Sequence, residues 1–209
     1  MSHYRKRLWA APVIAGAIML AAAGTAVALD ITGTGARDRI IGSRGTDTIA
    51  ALAGPDRVFA LAGDDRVDAG LGDDGVHAGP GHDTVVAGVG NDRVFAGRGS
   101  DTIDAGPGFD RVRGRLGDDT IAGGEGFDVL RAGRGRDTLS GGPGNDRLIA
   151  AARIDSATDT VGGDEGDDRV FVRDGHRDVV TCGPGFDRVQ ADSADSIAAD
   201  CEVARVNTR

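Results

Sequence analysis

Most of what builds an ordinary core is scarce in this chain of 209 residues, which has one tryptophan, one tyrosine, six phenylalanines, two methionines and two cysteines. With aromatics at 4 %, a core of interlocking rings is excluded. Lys6 is the single lysine, so arginine carries nearly all the positive charge. Histidine and cysteine are almost missing from the middle of the chain, where only His77 and His82 occur, and this argues against zinc. There is no His-Glu-x-x-His, no Gly-x-Ser-x-Gly and no phosphate loop ending in Gly-Lys, so no catalytic constellation stands out and an enzyme is not expected. A net charge of −9 disfavours nucleic acid as a partner and favours metal cations.

The one long apolar run lies at the start. Arg5, Lys6 and Arg7 precede Leu8 to Ala23, and Ala26-Val27-Ala28 follows as a small-x-small site. This pattern reads as a secretory signal peptide over residues 1–28, cut after Ala28, rather than a membrane anchor, for which the run is short. The segment holds three positive charges and no acid, so the remainder would carry −12 against −9 for the whole. The expected product is secreted, extracellular and free of the membrane. Cys182 and Cys201, an even pair in an exported chain, suggest a disulfide rather than two free thiols.

What is abundant is glycine, 35 residues of it, and aspartate at a fixed interval. Thirteen aspartates stand nine residues apart without a slip, from Asp38 to Asp146. Two residues after each comes Val, Ile or Leu, and two before each comes glycine, except Ala36 before Asp38. The unit is Ala/Gly-Gly-x-Gly-x-Asp-x-(Val/Ile/Leu)-x, clearest in Gly123–Arg131 and Gly141–Ile149. A short fixed period means a solenoid. Register breaks after Ala150: Asp159 follows Asp146 by thirteen residues, so about four are inserted, and Ala150–Thr158 is expected to bulge. Four divisions result: residues 1–28 as signal peptide, 29–150 as repeat array, 151–181 as degenerate repeats with the inserted loop, and 182–209 as a C-terminal cap.

Glycines at alternate positions allow tight turns and no helix. The three residues after each aspartate favour a short strand with its middle aliphatic pointing inward. One nine-residue unit is then a turn plus a strand, and two units close a flattened coil with a strand on each face. The residue after aspartate supports eighteen as the true period. One face reads Arg39, Arg57, Gly75, Arg93, Arg111, Val129, Arg147; the other reads Thr48, Arg66, Thr84, Thr102, Thr120, Thr138. Three faces per coil would mix these columns. The expected fold is all-β: a parallel β-roll solenoid, two repeats per coil, with an irregular disulfide-linked cap.

Aspartates eighteen apart would then lie over one another at roughly 4.8 Å, where bare charges repel by about 0.9 kcal/mol in water and more inside protein. A dication between successive aspartates reverses that sign. Oxygen is the abundant ligand type, from carboxylates and turn carbonyls, and oxygen cages select calcium over magnesium. The plainer alternative is that the aspartates hydrogen-bond turn amides.

The array resembles the RTX, or hemolysin-type, calcium-binding nonapeptide family, strictly over about 120 residues and loosely over nearly all that follows residue 28. The cysteine-bearing tail also resembles that of small exported calcium-binding proteins of actinobacterial type. The resemblance implies a roll with several calcium ions between successive turns. Carried onto this chain, the carboxylate pairs are Asp74 with Asp92, Asp92 with Asp110, Asp110 with Asp128 and Asp128 with Asp146 on one edge. On the other they are Asp83 with Asp101, Asp101 with Asp119, and Asp119 with Asp137. Carbonyl donors would be Gly70, Gly72, Gly79, Gly81, Gly88, Gly90, Gly97, Gly99, Gly106, Gly108, Gly124, Gly126, Gly133, Gly135, Gly142 and Gly144. Arg115 takes the place of a glycine before Asp119, and the turns before Asp38, Asp56 and Asp65 lack glycine pairs and are expected to be empty.

Other readings start from the faces. A threonine column invites comparison with ice-binding solenoids, although threonine is simply a good exposed strand residue and Arg66 interrupts the row. The arginine column would either offset the acidic edges or grip an anionic extracellular polymer, with Phe59 and Phe95 on the same face. An adhesive or surface-coating protein, with calcium only as scaffolding, is the alternative to a calcium-binding protein as such.

Overall fold

The residues after each aspartate are extended because β-branched and aliphatic side chains suit a pleated strand and the glycines before them do not. In the computed structural model, which describes residues 18–19, 27–150 and 157–207, these short strands stack into two parallel sheets. Among the described residues, eleven strands from Ile18–Met19 to Val203–Asn207 form one sheet, and ten from Asp30–Thr32 to Ser196–Ile197 form the other. Successive strands in the chain alternate between sheets, so the roll has two strands per coil. No described helix is long and apolar enough to cross a membrane.

Register confirms the eighteen-residue period: Arg57 pairs with Arg39 and Gly75, and Thr102 with Thr84 and Thr120. The first of these sheets is called here the arginine sheet and the second the threonine sheet. Each middle aliphatic is buried between them, as Val76, Val94, Val112 and Leu130 are from one side and Val85, Ile103, Ile121 and Leu139 from the other. The alanine four residues before the next aspartate's own neighbour, such as Ala78, Ala87, Ala96 and Ala105, is buried too. A typical coil thus contributes two aliphatics and two alanines, a thin core for eighteen residues. Much of the remaining order resides in the hydrogen bonds between coils.

Two features differ from the expectation of uniform three-residue strands. In the arginine sheet the strands Gly75–Pro80, Arg93–Arg98, Arg111–Leu116 and Val129–Arg134 run six residues and enter the following turn. His77 lies in the first of these strands. The tail is also more regular than an irregular cap: Arg188–Asp192, Ser196–Ile197 and Val203–Asn207 extend both sheets. Cys182 and Cys201 are disulfide-bonded, their Cα atoms 5.2 Å apart. Cys182 is fully buried where most earlier units place alanine or glycine, five residues before the aspartate.

The inserted residues leave the stack intact. Thr138 pairs with Thr160, and Asp137 and Asp159 are bonded across 22 positions instead of 18. Most of the expected loop, residues 151–156, lies outside the described residues. So does most of the proposed signal peptide, although Ile18–Met19 pairs in parallel with Ile40–Ile41 as the first strand of the arginine sheet.

Candidate metal centre

The site begins with two residues of left-handed or mirror-extended backbone in every turn from that before Asp56 to that before Asp146. In Ala87-Gly88-Val89-Gly90-Asn91-Asp92, Gly88 has φ 104° and Gly90 155°; in the next turn on that edge Gly106 has 91° and Gly108 159°. A Cβ on Gly108 would overlap the carbonyl oxygen of Gly90, so glycine is needed for close stacking as well as for φ. The turns are tied to each other by Gly90 N–H to Pro107 O at 3.0 Å and Gly108 N–H to Glu125 O at 2.7 Å.

Close stacking brings each aspartate beneath the next. The N–H of Asp74 donates to Oδ1 of Asp92 at 2.7 Å, Asp92 to Asp110 at 2.7 Å, Asp110 to Asp128 at 2.7 Å, and Asp128 to Asp146 at 2.8 Å. On the opposite edge Asp83 donates to Asp101 at 2.9 Å, Asp101 to Asp119 at 3.0 Å, and Asp119 to Asp137 at 2.8 Å. All seven expected pairs are brought together. The plain alternative, aspartates holding backbone amides, is therefore true of one oxygen of each carboxylate.

The other oxygen decides the chemistry. Oδ2 of Asp74, Asp83, Asp92, Asp101, Asp110, Asp119, Asp128 and Asp146 is buried with no hydrogen-bond partner in the protein. A buried, unpartnered carboxylate oxygen is costly unless a proton or cation meets it. Burial accordingly raises these groups: Asp74, Asp101, Asp110, Asp119 and Asp146 to about 7, Asp92 and Asp128 to about 6, with Asp83 also raised. The amide bond to the preceding coil opposes the rise, and in most of them neighbouring carboxylates add to it. Loss of water thus outranks repulsion between aspartates, the reverse of the order inferred from spacing alone. Dehydration acts on every buried carboxylate, whereas the repulsion is shared with amides that already neutralise part of it.

Three of the turns that look worn in the sequence keep this geometry, while in the turn before Asp38 the N–H and hydroxyl of Thr34 meet Oδ2 and Oδ1 is the open oxygen. Leu52, Leu61 and Arg115 adopt φ of 81°, 86° and 95° in place of glycine, and Asp56, Asp65 and Asp119 below them have the same unpartnered Oδ2. Asp47 differs. Its Oδ1 accepts from Leu29 N–H at 2.8 Å and from Ser43 Oγ at 3.0 Å, and its Oδ2 from Ser43 N–H.

Sequence reasoning missed two sets of residues. The ladder continues past the break, from Asp146 to Asp168 and from Asp168 to Asp187, both with a buried unpartnered Oδ2, and then to Glu202. Asp178 extends the other edge in the same way. The resumed Asp-x-Val spacing was the available signal. The second set is an outer column one residue before each aspartate. Asn91 donates through its N–H and Nδ2 to Asp73 Oδ1 at 2.8 and 3.0 Å, and Arg136 N–H donates to Asp118 Oδ1 at 2.8 Å. These bonds hold the Asp73 carboxyl below its usual range.

The donor set fits calcium better than a transition metal. Among the described residues no three carboxylates converge. The one trio of metal-capable side chains within 4.8 Å is Cys182, Asp200 and Cys201, whose sulfurs are already joined. A cation at the turns would meet single or paired carboxylates together with backbone carbonyls, an all-oxygen environment. Comparison with known proteins agrees. A search among curated proteins found no match. The family model described as RTX calcium-binding nonapeptide repeat matches four times, at residues 30–56, 41–76, 77–112 and 113–148, more than half of the chain. Its repeats are the same Gly-Asp turns whose second carboxylate oxygen is left open, and the chain belongs to this family of calcium-binding nonapeptide repeats.

Proposed function

We propose that the protein is a secreted calcium-binding β-roll that orders only where calcium is plentiful. The observation that carries this reading is the column of buried Oδ2 atoms without protein partners. Asp74, Asp92, Asp110, Asp128 and Asp146 would hold ions along one edge, and Asp83, Asp101, Asp119 and Asp137 along the other. Carbonyls would come from the flanking turn glycines, from Gly70 through Gly144. Calcium supplies fixed positive charge there, replacing water that stacking has removed. Gly-rich turns position the oxygens, and the amide ladder leaves one oxygen of each carboxylate for the ion.

Metal binding in such a chain is folding free energy, because the site does not exist until coils stack. Export fits this coupling. Extracellular modules work at ~10⁻⁴ to 10⁻³ M calcium, far above the level inside cells, so the chain would stay expanded until released. The basic-apolar-small pattern of residues 1–28 and the disulfide in the tail support that route. Cleavage after Ala28 would remove Ile18–Met19 and leave Arg39–Ile41 as the first strand of its sheet.

A calcium titration of residues 29–209 monitored by far-ultraviolet circular dichroism tests the reading. A transition from an expanded coil to a β-type spectrum below a few millimolar calcium is expected, on the order of 10⁻³ M. A β-type spectrum that persists unchanged in excess chelator at neutral pH would sink it. A second reading, an adhesive protein with calcium as scaffold, is favoured by the exposed arginine sheet.

A further inference from the structure

The arginine sheet has a notch whose floor reaches the turn aspartates Asp56 and Asp74 and whose walls are not among the proposed calcium ligands. In its column, Arg57 and Arg93 flank Gly75 in register, so two exposed guanidinium groups stand either side of a residue with no side chain. Two strand spacings separate them, roughly 10 Å. The wall of the notch is a second column, two residues further along each strand: Phe59, His77 and Phe95. These rings stack nearly parallel, with centroids 5.0 and 4.7 Å apart and planes within 5° and 8°. Arg39 lies 5.4 Å from the Phe59 centroid and Arg113 5.3 Å from that of Phe95, closing the stack at both ends. The three rings, Arg57, Gly75 and Arg93 line an open groove of about 530 Å³, together with Arg37 and the acids Asp56, Asp73 and Asp74.

Charge decides the sign of the ligand. The exposed charges that line the groove are Arg37, Arg57 and Arg93 against Asp73, whereas Asp56 and Asp74 are buried at its floor. Asp73, at the rim, is engaged by Asn91 through both its N–H and Nδ2 and also feels Arg93, which leaves the exposed lining net positive. Geometry decides the class. The ring faces are covered by each other and by arginines, so edges point outward and no face is left on which a nucleic-acid base would stack. An acidic peptide docks most readily along a sheet edge, and this is the face of a sheet. The groove is open, unlike the enclosed pocket that takes a small molecule. A second groove of about 630 Å³ on the same sheet is again made of arginine and phenylalanine, Arg147, Arg169, Phe171 and Arg188 among them. Five strand spacings separate Gly75 from Arg169, roughly 24 Å, a span suited to a polymer.

We propose that the arginine sheet binds a carboxylate-bearing polysaccharide, with Arg57 and Arg93 receiving its carboxylates and a sugar ring seated over Gly75 against the edges of Phe59, His77 and Phe95. Guanidinium–carboxylate bonds give the orientation, and repetition of arginine along the column gives avidity for a chain.

The test uses residues 29–209 in millimolar calcium, with circular dichroism recorded on the same sample. A folded roll that ignores the sugar thereby counts against the groove and leaves the calcium reading untouched. The probe is labelled hyaluronate oligosaccharide, followed by fluorescence anisotropy, with neutral dextran, poly-glutamate and single-stranded oligo-dT as competitors. Hyaluronate is expected to bind with an affinity that falls with salt, and dextran not to compete. The Arg57→Gln/Arg93→Gln variant should weaken binding by about tenfold or more. Gly75→Leu should do the same without altering charge. A Cβ at Gly75 meets only Asp56 O at 3.8 Å, so the fold accepts the side chain. Full binding by Gly75→Leu, no binding of hyaluronate by the folded roll, or tighter binding of poly-glutamate or oligo-dT would overturn the proposal.

Discussion

Asp47 and Asp110 occupy the same place in the same turn, yet one is satisfied by protein and the other is not. Asp47 has Ser43 four residues before it, and the serine hydroxyl and N–H meet its two oxygens. Asp110 has Gly106 at that position; its Oδ1 is held by Asp92 and its Oδ2 meets nothing. Both are buried to about 1 % exposure or less, so burial is not the difference. The open oxygen is therefore not forced by the coil. The backbone N–H of Ser43 closes Oδ2 of Asp47, while its hydroxyl adds a second bond to Oδ1. Gly106 has φ 91° and Ser43 is not among the positive-φ residues, so the left-handed backbone of the glycine turn goes with a carboxylate that requires an external charge.

Removing that charge should have the largest effect. In excess chelator near pH 7.5 the roll is expected to lose its β-type spectrum. Acid should restore part of it, by the following sign. The interior aspartates are raised to about 6 or 7 in the folded chain, against about 4 when exposed. Between those values the folded state binds more protons, so metal-free order is fully present below about pH 4 and is lost as pH rises through 6 to 7. Circular dichroism in chelator from pH 4 to 8 checks this. Metal-free order that increases toward pH 8 would contradict it.

A smaller effect separates proton from ion at one position. Asp110→Asn keeps the acceptor for Asp92 N–H and removes the charge. In saturating calcium it should lower stability by about 2 kcal/mol, measured by urea unfolding, because an ion loses a ligand. In chelator the same change should move the ordering transition to higher pH, since one carboxylate fewer must be protonated. Equal shifts in the same direction under both conditions would mean that Asp110 acts only through its amide bond.

Asp47 gives the converse test. Ser43→Gly removes the hydroxyl bond to Oδ1 but keeps the N–H that closes Oδ2, and should cost about 1 kcal/mol in chelator at pH 5, where the metal-free roll persists. Calcium should leave that loss unchanged, because the variant still offers no open oxygen. Recovery of the loss by calcium would show that the glycine had taken the left-handed backbone of the interior turns and freed Oδ2.

The comparison also shows what the sequence made legible. Period and columns gave two sheets and the register of Arg57 with Gly75 and Thr102 with Thr120, because side-chain direction in a strand follows directly from position. The seven aspartate pairs followed from the same arithmetic. What did not follow was the division of each carboxylate into a bonded and an open oxygen, which depends on how far one turn sits above the next. In the tail the Asp-x-Val pattern resumes at Asp168, Asp178 and Asp187, but the bonds from Asp146 to Asp168 and from Asp168 to Asp187 span 22 and 19 residues, so the eighteen-residue interval does not pair them although the coils still stack. The stacking of His77 was not legible because its partners, Phe59 and Phe95, are eighteen positions away on each side.

The smallest effect concerns the turns where glycine has been lost while the open oxygen remains. Arg115 holds φ 95°, a conformation that costs a non-glycine residue about 1 kcal/mol or somewhat more. It persists because Arg115 pairs in register with Gly97 and Gly133 in strands that leave no other path to Asp119. Arg115→Gly should therefore stabilise the calcium-loaded roll, by about 1 kcal/mol in urea unfolding, reduced by the loss of the Arg115 contact 5.9 Å from the Phe95 ring and by the freedom glycine gains when unfolded. Calcium affinity at Asp119 should hardly change, since its Oδ2 is already as open as that of Asp101. Gain in stability without gain in affinity would place the strain in the backbone alone. A rise in affinity of tenfold or so would instead mean that the arginine, and not the missing glycine, had been holding the ion away from that turn.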